Sequence, residues 1–62
     1  MVRFIGYDEE SKTLRIQFDK SVYEYFIVPE DVARQADVML AGEDYGWIRK
    51  YLVGIYPSRR VV

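Results

Sequence analysis

The stretch Tyr23-Glu24-Tyr25-Phe26-Ile27-Val28-Pro29-Glu30-Asp31-Val32 decides how this chain folds, because within ten residues it passes from an aromatic strand into a helix. Aromatic and β-branched residues favour extended structure in its first half. Pro29 has no N–H to lose at a helix start, and the two acids after it suit the positive end of the helix dipole. The stretch predicts a strand over residues 22–28 and a helix that begins at Pro29.

Two further strands are predicted before this stretch. Residues 2–7 are rich in β-formers, and residues 13–18 alternate between polar side chains and the apolar Leu14, Ile16 and Phe18. A period of two is typical of a strand with one buried face. Because the connections at 8–12 and 19–21 are short and polar, the three strands should form an antiparallel meander.

The third strand has an ambiguous alternation. Because Glu24 is charged, its side of the strand is expected to face solvent, and Tyr23, Tyr25 and Ile27 are expected to face the helices. That assignment makes the tyrosines part of the core.

The second half of the chain predicts two helices and a tail. In the first helix, Val32, Ala36, Met39 and Leu40 recur at helical spacing, and Gly42 should end it. A second helix is expected over 47–53, with Asp44 as its N-cap. Its apolar stripe would consist of Ile48, Tyr51, Leu52 and Ile55, with a stop at Gly54.

Residues 58–62 read as a tail extended along the sheet edge. The predicted fold is a single α+β domain over 1–62, in which a three-stranded antiparallel meander is followed by two short helices packed on one face (βββαα).

Composition limits the function. The chain has 62 residues, no cysteine and no histidine. Disulfides, thiolate metal sites and the commonest general base are thereby excluded. No apolar run approaches the ~20 residues that cross a bilayer, and the first residues lack a signal-peptide pattern. A cytoplasmic protein that makes no membrane contact is expected, and homodimerisation would enlarge its small core.

No constellation of an enzyme is present. A serine or threonine nucleophile has no histidine to activate it, and the paired carboxylates at 9–10, 30–31 and 43–44 lie in turns or at a helix start. Glycines are scattered, without a phosphate loop, and no metal-ligand spacing occurs. We therefore expect a non-enzymatic binding module without cofactor or metal.

The charges are unevenly distributed. Residues 1–45 carry five bases and ten acids, whereas residues 46–62 carry four bases and no acid. These bases, Arg49, Lys50, Arg59 and Arg60, are candidates for phosphate contacts, and Tyr23, Tyr25 and Tyr7 for base stacking. Two plainer interpretations stand beside this one: the tyrosines belong to the core, and the bases form an ordinary solvated surface or pair with the acids.

Several short motifs together resemble the KTSC domain. They are Ile5-Gly6-Tyr7-Asp8, Lys12-Thr13-Leu14, Tyr23-x-Tyr25 followed by Val28-Pro29, and Tyr56-Pro57 before the basic tail. Domains of this kind occur at the C-terminus of some lysyl-tRNA synthetases and as free-standing bacterial or phage proteins. The resemblance implies RNA binding through that association. After Leu40 the pattern departs: Leu52-Val53 stands where relatives have Ile-Arg, and Arg49 and Lys50 lie one helical turn earlier.

Two functions remain open from the sequence. The first is RNA binding by the basic C-terminal segment, with salt-sensitive affinity. The second is a protein-interaction module, such as a phage protein that docks on a host protein, with Tyr45, Trp47, Tyr51 and Tyr56 as anchors. Clustering of the four bases on one face would favour nucleic acid. Pairing of Arg59 and Arg60 with Glu30 or Asp31 would disfavour it.

Overall fold

A computed structural model describes residues 2–61 of the chain. Met1 and Val62, the two ends of the predicted domain, lie outside the described residues. The elements in chain order are β1 (Val2–Asp8), β2 (Thr13–Phe18), β3 (Val22–Tyr25), α1 (Glu30–Ala41), α2 (Gly46–Tyr51) and β4 (Ser58–Arg60).

The four strands form one antiparallel sheet in the order β1-β2-β3-β4. The α+β class and the three-strand meander are confirmed. The strand count was wrong, because residues 58–60 of the predicted edge tail pair with β3 as a fourth strand. Three residues are too few to show a period, so pairing with β3 and not local pattern defines β4.

One face of the sheet carries the core. Leu14 and Ile16 of β2 are fully buried, and Tyr25 of β3 is nearly so. Phe18 and Tyr23 pack against this cluster, with their rings edge to face and their centroids 6.0 Å apart. The predicted inward side of β2 and the inward placement of both tyrosines are therefore confirmed.

The strand-to-helix passage differs from the prediction at Ile27. β3 ends at Tyr25, and Ile27 takes a positive φ of 59° and is 67% exposed. This left-handed residue rotates the chain, so Val28 becomes fully buried and its N–H donates to the Lys12 carbonyl. Pro29 is the N-cap, and the helix itself begins at Glu30. The inward placement of Ile27 was wrong, since alternation stops where the backbone turns.

Helix α1 lies on the core face of the sheet. Its buried side chains are Ala33, Ala36 and Leu40, and Val32 is partly buried against them. Met39 is exposed, contrary to the predicted stripe. The helix ends at Ala41 with Gly42 as C-cap, as predicted.

Helix α2 is shorter than predicted. It buries Trp47 and Ile48, and Leu52 follows as its fully buried C-cap. Tyr51, the last residue of the helix, is exposed beside the Trp47 ring, and Ile55 is exposed because the chain turns before it.

The N-cap of α2 also differs from the prediction. It is Tyr45, without a side-chain hydrogen bond, and the Asp44 carbonyl accepts from the Trp47 N–H. The predicted side-chain cap by Asp44 was therefore wrong. None of the helices within residues 2–61 is long and apolar enough to cross a membrane.

Candidate nucleic-acid interface

The second face of the sheet is the candidate interface. Both helices contribute to the core on the opposite face, so the side chains that alternate outward from the strands remain without a covering layer. We call this surface the open face. Its outward residues that matter below are Phe4, Gly6, Arg15, Glu24, Phe26 and Arg59.

Two arginines flank one carboxylate at the centre of the open face. Arg15 is paired with Glu24 across β2 and β3, and Glu24 is paired with Arg59 across β3 and β4. Arg59 Nε donates to Glu24 Oε1 at 3.0 Å, and Arg15 Nε lies 3.9 Å from Glu24 Oε2. The Glu24 side chain is only 16% exposed, whereas those of Arg15 and Arg59 are 49% and 67% exposed. The carboxylate therefore accepts a hydrogen bond from Arg59 and forms a longer ion pair with Arg15, and both guanidinium groups still have N–H donors facing solvent.

Two phenylalanine rings lie on the same face, and one of them contacts an arginine. The Arg59 guanidinium lies 6.0 Å from the centre of the Phe26 ring. On β1, at the outer edge of the same face, the exposed Phe4 ring lies across Gly6. A Cβ added to Gly6 would stand 2.8 Å from Phe4 Cε2. Gly6 thus leaves room for an aromatic ring to lie along β1.

A shallow cavity of about 380 Å³ lies on this face. Its lining includes Gly6, Arg15, Glu24 and Phe26. Asp8 lines its far end and accepts a hydrogen bond from the Glu10 N–H. The cavity therefore offers an aromatic ring, the guanidinium donors of Arg15 and two carboxylates.

The four predicted bases are distributed over several surfaces. Arg59 lies on the open face. Arg60, the next residue of β4, is paired with Tyr23, so its side chain is on the helix-covered face of the sheet. Arg49 and Lys50 are exposed on α2, which contributes to the core on the helical side. The acid that Arg59 contacts is Glu24, and not Glu30 or Asp31.

The predicted stacking tyrosines lie beneath the helices. Tyr25 is buried, and burial raises the pKa of its phenol, with Tyr23 adding to the effect. Tyr7 also faces inward and donates its hydroxyl to the Val28 carbonyl. The pKa of Tyr7 is raised as well, first by desolvation and then by the charges of Glu30 and Glu9. These rings support the sheet from below, which leaves Phe4 and Phe26 as the aromatic surface of the open face.

The predicted protein-interaction anchors have unequal exposure. Trp47 is a core residue, with its ring 5.5 Å from that of Tyr51. Tyr51 and Tyr45 are exposed, and Tyr56 is partly buried against the core. Lys50 Nζ lies 5.7 Å from the Tyr51 ring centre. Tyr51 and Tyr45 therefore offer contact surface, and Trp47 holds the helix in place.

Sequence reasoning missed Arg15, Glu24, Phe4 and Phe26 as site residues. The sequence did indicate them in part, because they fall at positions that alternate with the inward-facing residues of the strands. This indication was incomplete, because the contact between Glu24 and Arg59 depends on the register of β4, a strand that has no local pattern. Within residues 2–61, no group of three or more metal-ligating side chains is placed to hold a metal ion.

The geometry defines a small α+β domain with one face of its sheet covered by helices and the other open. Residues 1–36 match the family model of the KTSC domain, which is more than half of the 62-residue chain. The chain therefore belongs to the KTSC domain family. The match includes the Tyr23-x-Tyr25 and Val28-Pro29 motifs, whereas Tyr56-Pro57 and the four C-terminal bases lie beyond it. No curated protein matches the chain.

Proposed function

We propose that this protein is a non-enzymatic module that binds single-stranded RNA on the open face of its sheet. One observation carries the proposal: Glu24 pairs with both Arg15 and Arg59 on a face that also carries the rings of Phe4 and Phe26. Proteins that bind single strands combine aromatic surfaces for the bases with cations for the backbone. The association of similar domains with lysyl-tRNA synthetases supports RNA as the nucleic acid.

In this proposal the aromatic rings and the arginines have separate roles. Phe4 and Phe26 stack on bases, because every base has a π-face, and stacking contributes about 1–3 kcal/mol per base. Arg15 and Arg59 donate to phosphates with the N–H groups that Glu24 does not occupy. Glu24 pairs with both guanidinium groups and at the same time lowers the positive charge that this face presents to a phosphate.

The remaining bases contribute at longer range. Residues 46–62 carry four positive charges and no acid. Arg49, Lys50 and Arg60 would raise the local concentration of an anionic ligand without contacting the stacked bases. Tyr23 and Tyr25 would act indirectly, by supporting the strand that carries Glu24.

A titration with labelled single-stranded RNA of mixed sequence tests the proposal. We expect binding at low ionic strength that weakens steeply as salt is added, because phosphate contacts release counterions. A duplex of the same sequence is the control and should bind more weakly, since its bases are not available for stacking. Absence of RNA binding at low salt would contradict the proposal.

Protein binding is the second candidate function. The observation that favours it is a groove of about 530 Å³ between α1 and α2, which is lined by Met39, Trp47, Lys50 and Tyr51 among others. Exposed Tyr51 and Met39 supply the apolar surface that interface hot spots use. Tyr45 and Tyr56 would extend this contact, and a host protein is the proposed partner. Recovery of nucleic acid alone in a pull-down from lysate would count against it.

A further inference from the structure

The free edge of β1 is a second surface, which adjoins the open face at Phe4. β1 has seven residues and is the outermost strand of the sheet, and within residues 2–61 no strand pairs with its far side. An edge strand presents unpaired N–H and C=O groups at alternate residues, which form a template for another strand. At the opposite edge, β4 offers only three residues.

A groove runs between this edge and helix α1. Two adjoining cavities of about 320 Å³ each form it, and they share Ile5 and Asp37. Val2, Ala33 and Leu40 add apolar surface to its floor. The groove therefore has an apolar base, a helix on one side and hydrogen-bonding backbone on the other.

The rim of this groove is acidic. Glu9, Asp37 and Glu43 line it with exposed carboxylates that take part in no ion pair among the described residues. The two basic residues of the lining are already paired, Arg34 with the Glu30 of the same rim and Arg3 with Asp19 at 2.7 Å. The raised pKa of the neighbouring Tyr7, to which Glu30 and Glu9 contribute after desolvation, agrees with a negative potential there.

We propose that the groove between β1 and α1 binds an extended, lysine- or arginine-rich segment of a partner protein, which adds to β1 as a fifth strand of the sheet. This is strand addition, in which backbone hydrogen bonds provide affinity and alternate side chains provide specificity. The proposal concerns a surface that shares Phe4 with the RNA-binding one, and it does not depend on RNA binding.

Charge selects this partner over the alternatives. A second copy of the chain docked by its own β1 would bring the same unpaired carboxylates together, and like charges across an interface are unfavourable. RNA phosphates would meet the same repulsion. A basic segment can lay the aliphatic stems of its side chains over Ile5 and Leu40 while their charged ends reach the acidic rim.

Chemical-shift mapping on the full-length protein tests the location. The probe is a seven-residue peptide that alternates lysine and threonine, since β1 has seven residues and threonine favours strands. We expect backbone amide shifts to change in Val2–Asp8 and along Glu30–Ala41, and the matched glutamate–threonine peptide to cause none. Changes confined to α2 or β4, or equal changes with both peptides, would overturn the proposal.

Two N-methylated forms of the lysine–threonine peptide test the backbone pairing. One form carries the methyl groups on the backbone amide nitrogens of its lysines, and the other on the backbone amide nitrogens of its threonines. Each form therefore blocks one hydrogen-bonding edge of the peptide without changing its charge. Strand addition uses one edge, so one form should lose binding and the other should keep it. Equal affinity of both forms with the unmodified peptide would overturn strand addition.

A charge-neutral variant tests the rim. D37N/E43Q removes two exposed acids of the groove, and E10Q/D44N removes two exposed acids outside it as a matched control. We expect the first variant to bind the lysine–threonine peptide about fivefold more weakly, as for two exposed ion pairs, and the control to match the wild type. Equal loss in both variants would overturn the assignment. So would a concentration-dependent dimer, seen by sedimentation, that binds no peptide.

Discussion

Arg59 and Glu24 are directly opposite each other on β4 and β3, and their side chains meet at 3.0 Å although 35 residues separate them in sequence. The contact fixes the last strand to the sheet and places a C-terminal base beside Arg15. One residue of the predicted basic tail, Arg59, thus becomes part of the open face. The same carboxylate stabilises the fold and lowers the positive charge of that face.

Replacement of Glu24 by glutamine should therefore change stability and binding in opposite directions. The E24Q variant loses both ion pairs and leaves two arginines close together, so we expect the free energy of unfolding to fall by about 1 kcal/mol. RNA affinity at low salt should rise by about two- to fivefold, because a negative charge leaves the binding face. Urea unfolding and fluorescence anisotropy measure the two effects. The E10Q variant, which removes an exposed turn acid, should change neither by as much, and weaker RNA binding by E24Q would contradict the proposed surface.

Removal of arginines from the open face tests which cations contact phosphate. R15Q/R59Q and R49Q/K50Q each remove two positive charges, so their net charges match. We expect R15Q/R59Q to lose most of the RNA affinity and to reduce the slope of log K against log salt by about 0.7 for each lost phosphate contact. R49Q/K50Q should lower the affinity slightly and leave the slope nearly unchanged. Equal losses would indicate general attraction to the basic segment instead of a site.

A methyl group at Gly6 should disturb the Phe4 ring and little else. The added Cβ would lie 2.8 Å from Phe4 Cε2, which is the far end of a flexible side chain and can move aside. Because glycine is unfavourable within a strand by roughly 0.5–1 kcal/mol, G6A should unfold with unchanged or slightly higher free energy. Its RNA affinity should fall as far as that of F4L. Unchanged affinity in both variants would remove Phe4 from the binding surface.

The extent to which the sequence determines this structure differs between its two halves. Alternation gave the correct inward side of β2 because each residue there repeats one geometry. It failed at Ile27, where one positive φ reverses the order of inside and outside. The predicted helical stripe failed at Ile55, which lies beyond the end of α2. Helices on one face of the sheet were predicted, but the residues that meet on the open face were not, because they depend on which strands become neighbours, and neighbours distant in sequence leave no local period.

The neighbouring residues Ile27 and Val28 should respond to asparagine with opposite signs. Ile27 is an exposed β-branched residue at φ 59°, a conformation that costs such residues roughly 1–2 kcal/mol and that asparagine adopts more readily. I27N should therefore raise the free energy of unfolding by about 1 kcal/mol. V28N places an amide in a fully buried site and should lower it by more than about 2 kcal/mol. Thermal and urea unfolding measure both, and destabilisation by I27N would contradict the left-handed turn.

Tyr25 should make the fold sensitive to alkali. Burial raises the pKa of its phenol above the usual value of 10.0, so the folded protein holds the proton more tightly than the unfolded chain. The corresponding stability is fully present below pH 10.0 and is lost as the pH rises through the higher pKa of the folded state. Y25F cannot titrate there, so its free energy of unfolding should decline less steeply above that pH than that of the wild type. Y51F, which changes an exposed ring, should follow the wild type. Urea unfolding as a function of pH measures the three curves, and parallel decline of wild type and Y25F would show that Tyr25 ionises as freely in the folded protein as in the unfolded chain.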